Sequence, residues 1–597
     1  MKGSMGSTDL GKNVRKNYPL TKANRLTIVS VVAVFSVLIF LMTSIRYMGF
    51  LDLNWDMGIN MQLLWTNTHG YLLYETADFE TSGIRSFLQI NSAYVAIPLS
   101  YLYGIFPTAY TLLLIQAVGI SLSAIPIYYY AVSRTNNPDV SLLIAIFFLS
   151  GFAVISGVFY DFHWESLIPL EFFTFVYLIY RRHFFFGAIL VILGTMTLEV
   201  FPFFAASYLI FLLFFTKDAT DATSDRTESY LKERLILLSL LIFSGAMYYT
   251  VMYFGGVILP GIVGSKTTAV SATHSVSYLF NFGITPSNLL NSTDYWLLLF
   301  TSMGFIPLLK PKSLIVLVPW VYWSSVAFPQ YYTTQFGVQY GILATSVLLI
   351  PFIEGIAYIT SKHRLEDPNN LYLLLGPASL LFIGGLLLNY ATFVNHSYLL
   401  PFSFVFMAIG VATIATVNLN PKLVKNIRMR FSKTQFTRKS VYIFLLVAII
   451  ANIVIGPLNP VNTQPEGSGG YSVAFSPNPS YVYMNQITTI VGHNNTVLST
   501  DNLFVFIANN PHAYSFFWYP KNYSGNQYFP YSGNNLPKFL LLDTSMMFTV
   551  PHYFSNTAFN STKYGIRYEI VNSNYPGNIY LFELGFNGPS VIKTIHT

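Results

Sequence analysis

An all-α polytopic membrane domain followed by a small α/β domain outside the membrane is the fold class this sequence predicts, on three observations. Leu26 to Ile45 and Ser440 to Pro465 carry no charged side chain, and apolar runs of about 18 residues or more mark bilayer-spanning helices. Only 10% of the 597 residues are charged and 53% are hydrophobic, whereas a soluble domain carries about 25% charged residues. The cations, third, are gathered into short stretches between the apolar runs. The net charge of +7 matters less than that placement.

The elements follow in order. Residues 1–25 form a cytoplasmic tail with Lys12, Arg15, Lys16, Lys22 and Arg25. Leu26 to Arg46 is too long for a signal-peptide core and reads as a retained first helix. A long outer loop, 47–108, comes next. Its segment Asn91 to Phe106 is apolar but short and reads as a helix lying on the outer membrane surface. Further crossings are expected near 109–132, 139–159, 164–180, 184–199, 201–215, 235–258, 293–309, 313–329, 340–361, 371–389, 398–417 and 441–457, about thirteen in all, so that 26–457 is the transmembrane domain. Arg134, Arg181, Arg182, Lys217, Arg226, Lys232, Arg234, Lys310, Lys312, Lys362, Arg364 and the seven cations between Lys422 and Lys439 fall in every second connection. The positive-inside rule places those connections in the cytoplasm. Nucleic-acid binding is excluded as their purpose, because each cluster abuts an apolar segment.

N-x-[ST] sequons at Asn291, Asn395, Asn494, Asn522 and Asn560 all fall in segments that the charge rule puts outside. The tail 458–597 turns rich in Asn, Tyr, Ser, Pro and Gly. Thr496–Ala508, Lys538–Asp543 and Arg567–Leu584 read as strands, the last a hairpin about Tyr575-Pro576-Gly577-Asn578. The chain has no cysteine, which excludes disulfides, thiolate metal sites and cysteine nucleophiles. No phosphate-binding loop, nucleophile elbow, H-E-x-x-H or dinucleotide fingerprint occurs, so soluble nucleotide chemistry is not indicated.

Three constellations carry chemistry. Asp52 and Asp56 stand just past the outer end of the first helix, where a carboxylate can take a proton from a nucleophile or hold a metal ion. The competing reading is a pair of solvated loop residues. Gln62, Trp65 and His69 continue a face able to bind a sugar or phosphate, or else an interfacial aromatic belt. Tyr160-Asp161-Phe162-His163-Trp164-Glu165 puts three ionisable groups at the membrane edge, which is costly unless they are solvated, paired or functional. Asp161 and His163 could pair, or bind a metal together with Glu165. Glu199, between two apolar helices, is a site candidate or a helix-turn cap.

These residues carry a resemblance. Asp56, Gly58, Gln62, Trp65, His69 and Gly70 fit D-x-G-x-x-x-Q-x-x-W followed by H-G, and Asp161, Phe162, His163 and Glu165 fit D-F-H-x-E. With Glu199, the Gln339-Tyr340 pair and the tail motif Leu540-Leu541-Leu542-Asp543, the chain resembles a prokaryotic, largely archaeal family of predicted membrane proteins catalogued as a domain of unknown function. Asn91 stands where that family usually has histidine, and Val200 where it usually has aspartate. That family in turn resembles the GT-C superfamily of glycosyltransferases, an analogy of architecture. The resemblance implies transfer of a sugar from a polyprenyl-phosphate-linked donor, lying in the bilayer, to a glycan, lipid or protein acceptor on the outer face of the cell membrane.

It further implies Asp56 as general base, with His163 and Glu199 as its catalytic companions. Asp52, Gln62, Trp65, His69, Asn91, Asp161, Glu165, Gln339 and Tyr340 would bind substrate, and Arg85, or more weakly Lys266, would neutralise the leaving phosphate. Relatives that use monophosphate carriers generally manage without metal. Those that use diphosphate carriers need a divalent ion, magnesium or manganese, for which Asp56, His163 and Glu165 would be the ligands. A transporter and a non-catalytic scaffold or receptor are the competing classes. A transporter would set ionisable groups near the bilayer midplane in repeated halves, whereas here the acids crowd the outer edge and no repeat is visible.

Overall fold

The computed structural model describes residues 20–51, 54–215, 224–265, 286–327, 331–334, 336–360, 405, 408–409, 439–458, 477–515, 535–545, 563–572 and 577–595. These residues are mostly helical, and five helical stretches are long and apolar enough to cross a membrane: Lys22–Met48, Ala109–Thr135, Pro138–Tyr160, Leu231–Val263 and Tyr340–Thr360.

Helix α1 (Lys22–Met48) begins at a capping box, in which the Asn24 amide donates to the Thr21 hydroxyl and the Thr21 amide donates back to the Asn24 side chain. Its 27 residues rise about 40 Å, enough for a hydrocarbon layer of about 30 Å. Leu26, Val29, Val37 and Leu41 stay exposed along it, as a face turned to lipid requires. The long first loop then folds into a π-turn (Asn54–Gly58), α2 (Ile59–Asn67), α3 (Thr76–Ser82) and α4 (Ala96–Ile105). The ten residues of α4 rise only about 15 Å, half a bilayer, and Tyr101, Leu102 and Ile105 are left exposed on it.

Helix α5 (Ala109–Leu122) runs on through Ser123 into α6 (Ala124–Thr135), and α7 (Pro138–Leu149) through Gly151 into α8 (Phe152–Tyr160). Asn137 caps α7 by accepting from the amides of Asp139 and Val140. Then come α9 (Ile168–Tyr180), α10 (Phe184–Thr197), α11 (Phe201–Phe215), α12 (Ser224–Tyr253), a π-turn (Phe254–Ile258) into α13 (Leu259–Val263), and α14 (Pro286–Ser302). The helix expected over 313–329 is broken into a 3₁₀ stretch (Pro311–Leu317), α15 (Val318–Tyr322) and a π-turn (Trp323–Ala327). Pro311 and Pro319 cannot donate backbone hydrogen bonds, and a regular helix does not run through both. Helix α16 (Tyr340–Thr360) is buried along nearly its whole length, and α17 (Lys439–Ile455) closes the apolar part. The crossing expected at 371–389 lies outside the described residues, and so does that at 398–417 except for residues 405, 408 and 409.

Near the far end of α16, Glu354 meets Arg134 of α6. Nε and Nη2 of the guanidinium donate to the two carboxylate oxygens at 2.5 and 2.7 Å, and the Tyr130 hydroxyl adds a third bond at 3.2 Å. A buried pair with every partner in place ties two apolar helices together, and removing one side leaves an uncompensated charge.

The C-terminal domain is an α/β unit. Helices α18 (Tyr481–Val491) and α19 (Asp501–Ile507) accompany strands β1 (Val497–Ser499), β2 (Ala513–Ser515), β3 (Phe539–Asp543), β4 (Tyr564–Asn572), β5 (Ile579–Leu584) and β6 (Val591–Ile595). The sheet order is β2-β1-β3-β5-β4-β6. Strand β1 is parallel to β2 and β3, β5 is antiparallel to β3 and β4, and β6 is parallel to β4. The expected hairpin is therefore β4–β5, although residues 573–576 of its turn lie outside the described residues. Thr496–Ala508, expected as one strand, is instead three residues of strand followed by α19.

This domain shares its core with the first loop: Met57, Leu64, Ala77 and Leu88 pack in one apolar cluster with Met484, Leu503, Phe504 and Leu541. Hydrogen bonds reinforce the junction, from the Asn478 amide to the Met48 carbonyl (3.0 Å), between the Tyr110 and Tyr481 hydroxyls (2.8 Å), and from the Tyr103 hydroxyl to Asn509 Oδ1 (2.7 Å).

Candidate active site

The two acidic motifs meet. Asp56 lies on the π-turn after α1, and His163 on the short link between α8 and α9. His163 Nε2 stands 2.8 Å from Asp56 Oδ1. The contact is an ion pair rather than a linear hydrogen bond, since Nε2 has no well-aligned acceptor. His163 Nδ1 faces the main-chain oxygen of Asp161 at 3.2 Å. The pairing expected between the Asp161 and His163 side chains is therefore corrected: Asp161 engages the ring through its carbonyl, and the carboxylate beside the ring is that of Asp56. Burial works against a charged imidazole here, but the Asp56 carboxylate outweighs it, helped by Glu165 and the Asp161 carbonyl, and pushes the ring up to about 8.

Two carboxamides hold this geometry, and neither stood out in the sequence. Asn60, the second residue of α2, donates from Nδ2 to the Asp56 carbonyl at 2.6 Å and toward the Phe162 carbonyl at 3.4 Å, bridging the two motifs. Gln116 of α5 accepts from the His163 amide at 3.0 Å and donates to the Val158 carbonyl at 2.7 Å. Both side chains are buried. A carboxamide fits because it offers a donor and an acceptor on one stem, and the loop presents both kinds of backbone group. The signal available was a lone Gln inside an apolar helix, where an unpartnered amide would be costly.

Glu165 follows on the same link. Burial raises its carboxyl, while His163 and the nearby Gln339 amide pull the other way. Glu199, between α10 and α11, accepts from the Ser92 amide at 3.0 Å. Burial pushes it up to about 7, with Glu165 adding to the rise. Asn91 precedes that amide, so the 91–92 loop and Glu199 form one side of the site. Thr197, two residues before Glu199, donates its hydroxyl to Glu171 at the start of α9 at 2.7 Å. Tyr340 opens α16 directly after Gln339, its ring 6.0 Å from that of Trp323.

Other expected site residues go elsewhere. Gln62 is fully buried and saturated: Nε2 donates to the carbonyls of Asn510 (2.7 Å) and Ala513 (3.2 Å), and Oε1 accepts from Thr76 N (2.8 Å) and Oγ1 (3.0 Å). It fastens α2 to the C-terminal domain. Trp65 is sandwiched between His69 and His493, with ring centroids 3.6 and 5.8 Å away. Arg85 is exposed on the loop after α3. Asp52 and Lys266 lie outside the described residues. No three His, Asp or Glu side chains gather closely enough to hold a metal among the described residues, so Asp56, His163 and Glu165 do not form the ligand set expected for a divalent ion.

A family model described as "Predicted membrane protein (DUF2079)" matches residues 46–370. That stretch begins in the last turn of α1 and takes in Asp56, Asn60, Gln116, His163, Glu165, Glu199 and Gln339, but not the C-terminal domain. No curated protein matches the chain, and no solved structure does.

Proposed function

Since the chain belongs to the DUF2079 family of predicted membrane proteins, we propose a reaction for it from its site: transfer of a sugar from a polyprenyl-phosphate-linked donor to a glycan, lipid or protein acceptor at the outer membrane face, on a GT-C-like plan of about thirteen crossings. One observation carries the reading. Asp56 of the first loop and His163 of the D-F-H-x-E link are in contact at 2.8 Å, with Glu165, Gln339 and Glu199 beside them. A helical first loop after α1 and an α/β domain seated on it also accord with that plan.

The chemistry follows from the two carboxylate oxygens. His163 takes Oδ1, and Oδ2 has no partner among the described residues. Oδ2 accepts the proton of the acceptor hydroxyl or amide. The freed pair forms the bond to the anomeric carbon, and the bond from that carbon to the phosphate oxygen breaks with its electrons staying on phosphate. The imidazolium of His163, favoured by Asp56, is the cation that touches this carboxylate among the described residues, in place of the exposed Arg85.

One observation stands on the side of a transporter, the Arg134–Glu354 pair inside the helical bundle. It is saturated by its own partners, which suits a clamp better than a pathway.

The test uses membranes carrying the chain at matched expression. Asp56→Asn is nearly isosteric and should lower sugar transfer by about a hundredfold to ten-thousandfold. Full activity in that variant rejects Asp56 as the base, and no transfer by the wild type with any lipid-linked sugar rejects the enzyme reading. Sidedness has its own assay. The chain lacks cysteine, so Ser524→Cys should react with an impermeant thiol reagent on intact cells and Ser224→Cys should not.

A further inference from the structure

Gly58, two residues after Asp56, has φ −64° and ψ −45°, ordinary helical values open to any residue. Its small size is what the position needs. A Cβ built there would lie 2.5 Å from Phe504 Cδ1 and 3.0 Å from Cε1, closer than real carbon contacts come. The Phe504 ring is fully buried on α19, its edge packed against the end of the π-turn that carries Asp56. Helix α19 is itself anchored. Asn502 Nδ2 donates to Asp543 Oδ2 at 2.7 Å, the Asp543 amide donates to the Thr500 hydroxyl at 3.2 Å, and Asp543 Oδ1 accepts from the Ser545 amide at 2.8 Å. An unbroken set of contacts thus runs from the end of β3 through α19 to the turn of Asp56.

We infer that the C-terminal domain is a positioning element of the active site: Phe504, held by the Asp543–Asn502 bond, seats on Gly58 and fixes the turn from which Asp56 reaches His163. The proposal rests on the reading of Asp56 as the reacting carboxylate, and it goes beyond that reading by giving the distal domain and the Gly of the D-x-G motif a defined task. Phe504 touches no reacting atom and acts only through the turn. A π-turn has a wider ring than an α-turn and occurs often at functional positions; here its outer side is closed by an aromatic ring from another domain.

The experiment is a size-compensation series on the full chain. Gly58→Ala drives a methyl into the ring and should lower transfer by about a hundredfold, the usual cost of a displacement of about 1 Å at a reacting group. Gly58→Ala with Phe504→Leu makes room and should recover most of the loss. A second readout needs no substrate: hydrogen–deuterium exchange at the imidazole C2 of His163, followed by peptide mass spectrometry across neutral pH. The apparent value should fall from about 8 toward 6.5 in Gly58→Ala and return in the double variant. If Gly58→Ala does not fold, Phe504→Ala empties the seat without a clash and should shift His163 in the same direction. Unchanged His163 exchange in both single variants overturns the proposal, as does a loss in Gly58→Ala that Phe504→Leu does not relieve. If the wild type transfers no sugar, the exchange experiment still decides this point separately.

Discussion

Replacing His163 by Gln tests the centre of the site through its proton. The imidazole rises from an ordinary 6.5 to about 8 in the folded chain. At about 1.36 kcal/mol for each tenfold change, that difference of 1.5 corresponds to about 2 kcal/mol. Exposure of 7% for His163 and 18% for Asp56 leaves little solvent between them, so screening removes only part of this. The folded value lies above the unfolded one. The contribution is therefore complete below about 6.5 and is lost as pH rises through about 8. Gln can still donate to Asp56 but cannot titrate. Thermal unfolding of the purified chain in micelles, followed by intrinsic fluorescence, should show wild type exceeding His163→Gln by about 2 kcal/mol more at mildly acidic than at mildly alkaline pH. Comparing the two proteins at each pH cancels titrations that the imidazole does not touch, such as that of Glu199, while the coupling of Glu165 to the imidazole is part of the difference being read. A difference that stays constant across this range would refute the proton linkage.

Three further outcomes are expected. Asn60→Ala strips the donor from the Asp56 and Phe162 carbonyls and should cost about 1–3 kcal/mol in denaturant unfolding, with transfer falling in parallel. Glu199 titrates near 7 in the fold against an ordinary 4.5, so its burial disfavours folding increasingly as pH climbs between those values; Glu199→Gln should remove that part of the decline, read as unfolding midpoints on both sides of the interval. Arg134→Ala should lose about 3–5 kcal/mol by stranding Glu354, whereas Arg134→Met with Glu354→Leu should lose little, measured by the same unfolding assay.

Much of the site was legible because its chemistry is carried by residue types that are rare in apolar sequence. Asp56, His163, Glu165 and Glu199 stand out against long uncharged stretches, and the folded chain brings them together. Gln62, Trp65 and His69 shared their motif with Asp56, yet they point along α2 into the junction with the C-terminal domain, and a motif does not reveal which of its members serve packing. Asn60, Gln116 and Phe504 were missed because their importance lies in backbone groups and a glycine distant in sequence. Leu503-Phe504-Val505-Phe506-Ile507 has the apolar, aromatic look of a strand, but as α19 it buries Leu503, Phe504, Val505 and Ile507 against the first loop. Of the expected crossings, those led by an uninterrupted apolar run, as in α1 and α16, were the plainest, and the Pro-punctuated stretch 311–327 the least.

The bond from Gln62 to the Asn510 carbonyl spans 448 positions of sequence, which has a consequence for biogenesis. At about 5–20 residues per second, roughly 20–90 s separate the synthesis of these two partners. During that interval the Gln62 Oε1 can already accept from Thr76, while its Nε2 still lacks the carbonyls of Asn510 and Ala513. A nascent chain stopped before Phe504 therefore presents an open apolar seat at Gly58 and a Gln62 Nε2 without the two carbonyls it donates to. Maturation of the first loop thus waits on a segment made 448 positions later.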